Sequence, residues 1–140
     1  IDIRFGEPNL KTYYAPRYLR ATWANARGIC KAYDMDIATF ETKNEMLAVS
    51  EMCKNNAKKL TTWVHIGGVT TIGRSSNWFW VTTGAKIDYE MIWNEGNPNN
   101  ANGVQHCLSL GDEDYLFDDI DCYGKRHEDK FICQKIHTEA

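Results

Sequence analysis

Nothing in the sequence approaches the ~18 consecutive apolar residues of a membrane-spanning helix, so no membrane span is expected. No signal peptide opens the chain, which leaves a mature secreted form or a cytosolic protein for other features to decide. His65, His106, His127 and His137 are scattered, and there is no His-Glu-x-x-His, no Cys-x-x-Cys and no Cys/His cluster, which excludes the common zinc sites. Gly-x-Ser-x-Gly, a Cys/His dyad in sequence context and a phosphate-binding loop are missing too. Asp118 and Asp119 are the one carboxylate pair that suggests a glycosidase. Neighbours in a strand face opposite sides and would not straddle one glycosidic bond, so no enzyme is expected. The Asn-x-Ser/Thr sequon is absent, as are internal repeats, linkers and low-complexity tracts.

What is present describes one soluble domain. At 140 residues, 43% hydrophobic and 25% charged, the chain can bury a real core but not divide in two. We expect residues 1–10 to form an N-terminal arm and residues 11–137 the domain. The net charge of −3 is unevenly spread: residues 1–60 carry ten Lys/Arg against seven Asp/Glu, and residues 61–140 carry six against twelve. An acidic second half argues against nucleic acid and suits a cation. Asp112, Glu113 and Asp114 read as a solvated turn. Five cysteines without metal spacing imply a disulfide framework plus one thiol, and therefore secretion.

Periodicity places the elements. Lys11-Thr12-Tyr13-Tyr14 reads as an opening strand. Thr22 caps a helix over Trp23 to Tyr33 whose apolar face is Trp23, Ala26, Ile29 and Cys30. Met35 to Ala38 is a short strand. Thr42-Lys43-Asn44-Glu45 is a capping box opening a second helix to about Lys58, with Met46, Val49, Cys53 and Ala57 inward. Strands follow at Trp63 to Gly68 and Asn77 to Val81, with a turn at Gly84, and then at Leu108 to Leu110, Tyr115 to Phe117 and Lys130 to Ile136. Trp63, Trp78, Trp80 and Trp93 are read as core rather than as a sugar-stacking array. Cys53 is read as a packed thiol; an intermolecular bridge is its alternative.

The most informative stretch runs from Trp93 to Cys122. Trp93-Asn94-Glu95-Gly96-Asn97-Pro98-Asn99 opens a loop rich in Gly, Pro and amides, residues that hold irregular conformations. The loop continues through Asn100-Ala101-Asn102-Gly103-Val104-Gln105-His106 to Cys107, and a strand then leads to Asp118-Asp119 and Cys122. Amide oxygens of Asn97, Asn99 and Gln105 and carboxylates of Asp118 and Asp119 are the hard donors Ca2+ takes. The alternative is that Pro98 and the Asn residues only shape the loop.

This constellation closely resembles the C-type lectin-like domain, in particular the secreted single-domain lectins of insects and other invertebrates. That family carries Trp-x-x-Gly-x-Pro-(Asp/Asn) before its third framework Cys, an acidic residue two before that Cys, and an (Asn/Asp)-Asp pair before the next. The resemblance implies an α+β fold, with two helices packed on a looped, mostly antiparallel sheet, and two disulfides, Cys30–Cys133 and Cys107–Cys122. It implies a secreted, carbohydrate-binding lectin with one Ca2+ held by Asn97, Asn99, Gln105, Asp118 and Asp119. Its sugar would be held by Asn97, Asn99, Gln105 and Asp118, in recognition of microbial or cell-surface glycans. The sequence departs from the pattern at informative places. Asn97-Pro98-Asn99 is neither the Glu-Pro-Asn of mannose-type nor the Gln-Pro-Asp of galactose-type loops. Gln105 replaces a Glu, and Phe117 a Trp. Two formal charges among five ligands point to a weak site, toward ~10⁻⁴–10⁻³ M. No Asp or Glu lies between Gly67 and Trp80, so the second calcium position of some members looks lost. Glu7-Pro8-Asn9 matches the mannose tripeptide but precedes the first strand and is a decoy. The alternative function is a lectin-like module that binds protein, as a dimer or with another chain, without calcium or sugar.

Overall fold

The computed structural model describes the backbone of residues 3–4 and residues 11–16, 18–60, 63–71 and 77–137, with Lys59 by its backbone alone. Glu7-Pro8-Asn9 and part of the Gly67 to Trp80 segment lie outside these residues. In chain order the elements are β1 (Ile3–Arg4), β2 (Lys11–Ala15), α1 (Trp23–Ala32), β3 (Asp36–Ile37), α2 (Lys43–Asn55), α3 (Ala57–Leu60), β4 (Val64–Val69) and β5 (Phe79–Trp80). They continue with β6 (Cys107–Gly111), β7 (Leu116–Ile120), β8 (Lys130–Phe131) and β9 (Cys133–Ile136), and 3-10 turns occupy Ala101–Gly103 and Lys125–His127. One sheet has the order β1-β2-β9-β3; the other runs β5-β4-β6-β7, with β8 also paired to β4. The β4–β8 pair is parallel and the other named strand pairs are antiparallel. This is the expected α+β architecture.

The disulfides fall where the resemblance placed them, with Cα–Cα distances of 5.5 Å for Cys30–Cys133 and 5.3 Å for Cys107–Cys122. The first ties α1 to β9, and the second joins the start of β6 to the residues after β7. Cys53 is fully buried and unbridged, and burial pushes its thiol up to about 12. This burial favours the packed thiol over a bridge to a partner chain.

Several expectations change in detail. Thr22 Oγ1 accepts the Asn25 N–H at 3.3 Å as a helix cap should. Thr42 Oγ1 likewise accepts the Glu45 N–H at 3.1 Å, but the Glu45 carboxylate accepts from the Glu41 N–H, also at 3.1 Å, instead of closing the box on Thr42. Glu45 is drawn there because it also meets Lys11 Nζ and Tyr13 Oη in a buried polar knot under the helix end. The second helix stops at Asn55, where Asn56 N–H bonds Cys53 O and Asn56 Nδ2 bonds Met52 O. That break turns Ala57 out of the buried stripe. The final expected strand is two: β8 pairs β4, Ile132 bonds across to Ala38 and His65, and β9 passes into the other sheet. Residues 3–4, expected in the arm, pair with β2.

β4 is the hub. It pairs β6 along one side and, on the other, β8 at its start and β5 at its end. Its His65 is fully buried, with Nε2 at 2.9 Å from both Ala21 O and His127 O and no partner at Nδ1. Trp78 and Trp80 are buried and Trp63 and Trp93 half-buried; Trp93 packs on Trp78 and Phe117 at ring separations of 5.5 and 5.9 Å. These contacts seat Trp93, where the long loop begins.

Candidate functional site

β7 is an edge strand, and the chain before the loop runs beside it. Phe117 N–H bonds Ile92 O and Asn94 N–H bonds Phe117 O, each at 3.0 Å, so Trp93 lies opposite Phe117. The aspartates, expected at the end of a strand over Tyr115 to Phe117, sit inside β7, because Tyr115 is still in the turn at φ 49° and the strand runs from Leu116 to Ile120. Both are buried, at 4% exposure for Asp118 and 3% for Asp119.

The loop then closes over them. Asp118 Oδ1 accepts from Asn94 Nδ2 at 3.0 Å and from Asn97 Nδ2 at 2.8 Å, and Oδ2 accepts from Trp63 Nε1 at 2.8 Å. Asp119 accepts the backbone N–H groups of Asn99 at 3.2 Å and Asn100 at 2.7 Å. The next amide, Ala101 N–H, lies 3.2 Å from Asn99 Oδ1 and 3.0 Å from Gln105 Oε1, while Gln105 N–H donates to Asn100 Oδ1 at 3.0 Å. The path needs left-handed residues, and Asn100, Asn102 and Gly103 take φ of 46°, 58° and 72°. The Asn97–Pro98 peptide is cis. Burial pushes the Asp118 carboxyl above its ordinary value; bonds from Asn94 and Trp63 oppose this, and the charges of Asp112 and Asp119 add to it.

A family model described as "Lectin C-type domain" matches residues 19–135. The chain belongs to the C-type lectin domain family. Perlucin of Haliotis laevigata is 26% identical over 129 residues, spanning 91% of this chain and 78% of its own. Salivary C-type lectin 1 of Aedes albopictus is 25% identical over 125 residues, spanning 83% and 77%. Among solved structures, C-type lectin CEL-I from Cucumaria echinata superposes with a TM-score of 0.74 at 19% identity, covering 94% of this chain and 93% of its own. A calcium-independent type II antifreeze protein gives a TM-score of 0.72 at 20% identity, covering 96% and 92%. Both likenesses show the fold. Family and fold are those of lectins, not of an enzyme.

Within this C-type lectin domain, the five residues expected around a cation occupy one patch made by the loop and β7. Their chemistry fits Ca2+, a hard ion, since all five supply oxygens and two carry charge. N–H groups meet the same oxygens: side-chain amides and an indole at Asp118, the Asn99 and Asn100 backbone amides at Asp119, and the Ala101 amide at Asn99 Oδ1 and Gln105 Oε1. Asn97 turns its NH2 to Asp118, so its oxygen faces away from that carboxylate. Among the described residues no three His, Cys, Asp or Glu side chains gather as a metal cluster.

Sequence reasoning missed Trp63, Asn94, Asn100 and Gly111. Asn94 Nδ2 also reaches Gly111 O at 2.9 Å and Leu116 O at 3.2 Å, pinning the loop to the β6–β7 turn. A Cβ on Gly111 would stand 2.0 Å from Trp63 Cδ1 and 2.5 Å from Asp118 Oδ2, so only glycine lets the indole reach the carboxylate. Asn94 had a signal in its place beside Trp93, and Trp63 in the need of an indole N–H for a partner. Gly111 had none.

Proposed function

We propose that this domain is a secreted carbohydrate-binding lectin that recognises microbial or cell-surface glycans through the 94–105 loop and β7. The observation that carries this reading is that Asn97 Nδ2 bonds Asp118, Asn99 N–H bonds Asp119, and the Ala101 N–H lies between Asn99 Oδ1 and Gln105 Oε1, which brings the five residues to one patch. Members of the family typically use Ca2+, and here the same five residues would hold one ion. It would lend a sugar's vicinal hydroxyls a charged anchor while Asn97, Asn99, Gln105 and Asp118 bond those hydroxyls. Two formal charges among five ligands support a weak site, toward ~10⁻⁴–10⁻³ M. Two disulfides support an oxidising, extracellular location, as do relatives named salivary lectins. No helix among the described residues is long and apolar enough to cross a membrane.

A second reading has its own observation. Asp118 and Asp119 fasten the loop to β7 through hydrogen bonds from Trp63, Asn94, Asn97, Asn99 and Asn100, which supports a protein-binding module whose loop is held by the chain's own donors. Retention on beads bearing mannose or galactose, with calcium and then with EDTA, separates the two. Sugar-specific retention lost in EDTA, with saturable calcium heat and a raised melting temperature, supports the lectin. No retention, no heat and no shift would replace it with the module.

A further inference from the structure

Across the Cys107–Cys122 bridge from the loop stands a second surface. Tyr123, next to the bridge, is 78% exposed, and Lys125 and Arg126 follow it, both exposed. The backbone beneath them is firmly seated. Tyr123 N–H donates to Asp121 Oδ1 at 2.9 Å, and His127 N–H donates to Gly124 O at 3.1 Å. His127 O meets the buried His65 ring at 2.9 Å, and Asp129 and Ala21 exchange backbone bonds of 3.0 Å both ways. Gly124 lies so close to Asp121 that a Cβ there would be 2.7 Å from Asp121 Oδ2.

The charges in this turn are not matched. Asp121 is engaged by the turn's backbone and Asp129 by His127 Nδ1 at 3.3 Å, leaving Glu128 as the exposed carboxylate. Neither Lys125 nor Arg126 forms an ion pair among the described residues. Two cations without an ion pair among the described residues thus follow one exposed ring on the same seated turn, in the half of the chain where acids outnumber bases two to one. The ring offers an apolar face to a sugar, and Lys and Arg offer donors to an anionic oxygen group. Two cations are too few for a polyanion read charge by charge, such as nucleic acid. They match a single acidic substituent.

The loop and this turn are neighbours. Gln105 is two residues before Cys107 and Tyr123 one after Cys122, and with bridged Cα atoms 5.3 Å apart their own Cα atoms lie within about 17 Å. An oligosaccharide spans that distance. We propose that Tyr123, Lys125 and Arg126 extend the glycan site to take a sulfated saccharide, one ring on Tyr123 and its sulfate ester on Lys125 and Arg126. The proposal rests on the lectin reading for the sugar held at the loop.

The test titrates the full chain with dextran sulfate and with unsulfated dextran, at about 0.15 M salt. Dextran sulfate should bind at least tenfold more tightly. The Lys125→Gln/Arg126→Gln double variant should lose about tenfold and Tyr123→Ala severalfold, while Tyr123→Phe keeps the stack and the affinity. All these side chains are exposed, so the variants should melt as the wild type does. Unchanged affinity in the double variant overturns the proposal, as does equal binding to polyglutamate, which would mark bare charge attraction. Mannose- and galactose-bead binding of the same proteins keeps the two readings apart. Neutral binding retained alongside an insensitive double variant sinks the extension alone. Dextran sulfate binding that depends on the three residues, with no neutral binding, sinks the loop reading and leaves the turn as an anionic-sugar site.

Discussion

At Asp118 one buried carboxylate takes three side-chain donors, while Asp119 takes two backbone amides from the loop. Their removal should therefore differ. Asp118→Ala leaves the Trp63 indole N–H without its acceptor, at about 1–3 kcal/mol, and also frees Asn97 Nδ2, while Asn94 Nδ2 keeps Gly111 O and Leu116 O. Asp119→Ala frees Asn99 and Asn100 amides, which a loop can turn to water, at about 1 kcal/mol each. In EDTA, melting should fall further for Asp118→Ala; in calcium, the wild type should gain a stabilisation that neither variant shows. Equal melting with and without calcium in all three proteins would remove the ion.

His65 gives a pH dependence at the same scale. Burial holds its imidazole below the ordinary value of about 6.5, against the opposing pull of carbonyls at His127 and Ala21 and the charge of Asp129. A proton added at Nδ1 would find no acceptor. The unfolded chain therefore binds this proton more readily than the folded one, and stability rises with pH wherever that holds. The contribution is full above about pH 6.5 and is lost as pH falls toward the lower folded value. Denaturant unfolding from pH 7.5 to 5 should show a loss of stability that is shallower in His65→Gln; identical slopes would reject the assignment.

At the scale of elements, the helices, their caps and most strands were legible because propensity and burial agree there. Thr22 and Thr42 cap as their sequence context indicates, and the apolar stripes of α1 and α2 face inward at Trp23, Ala26, Cys30, Met46, Val49 and Cys53. Less legible were features decided by distant partners. Glu45 left its box for Lys11 and Tyr13, β8 separated from β9 because each pairs a different sheet, and the loop's fastening came from Trp63 and Gly111, 30 or more residues upstream and close beside β7 respectively. Asn97, Asn99, Gln105, Asp118 and Asp119 could be picked out from the sequence as oxygen donors, but not the N–H groups that the fold sets against those oxygens. Gly111→Ala tests this element directly. Its new Cβ collides with the indole, so Trp63 must shift and release Asp118, at about 1–3 kcal/mol. Amide exchange should quicken across 94–105 while β2 and β9 keep their protection; a protected loop would show that Trp63 does not hold it.

For the whole molecule, the disulfides divide stability from site geometry. Cys30–Cys133 closes 103 residues and Cys107–Cys122 closes 15, so the chain-entropy contributions are about 4.7 and 3 kcal/mol. The long bridge joins α1 to β9, elements far apart in the sequence. The short one sits between the loop's end and the Tyr123–Arg126 turn, fixing two surfaces in one frame. Removing each pair as Ala variants should therefore have opposite emphases. Without Cys30–Cys133 the domain should melt lowest, yet at temperatures where it remains folded its calcium and sugar binding should be near normal. Without Cys107–Cys122 the melting loss should be smaller, but the loop and turn lose their common anchor and ligand affinity should fall more than stability predicts. A short-bridge variant that binds as the wild type does would mean that the β6–β7 pairing alone, Cys107 opposite Ile120, keeps the site together.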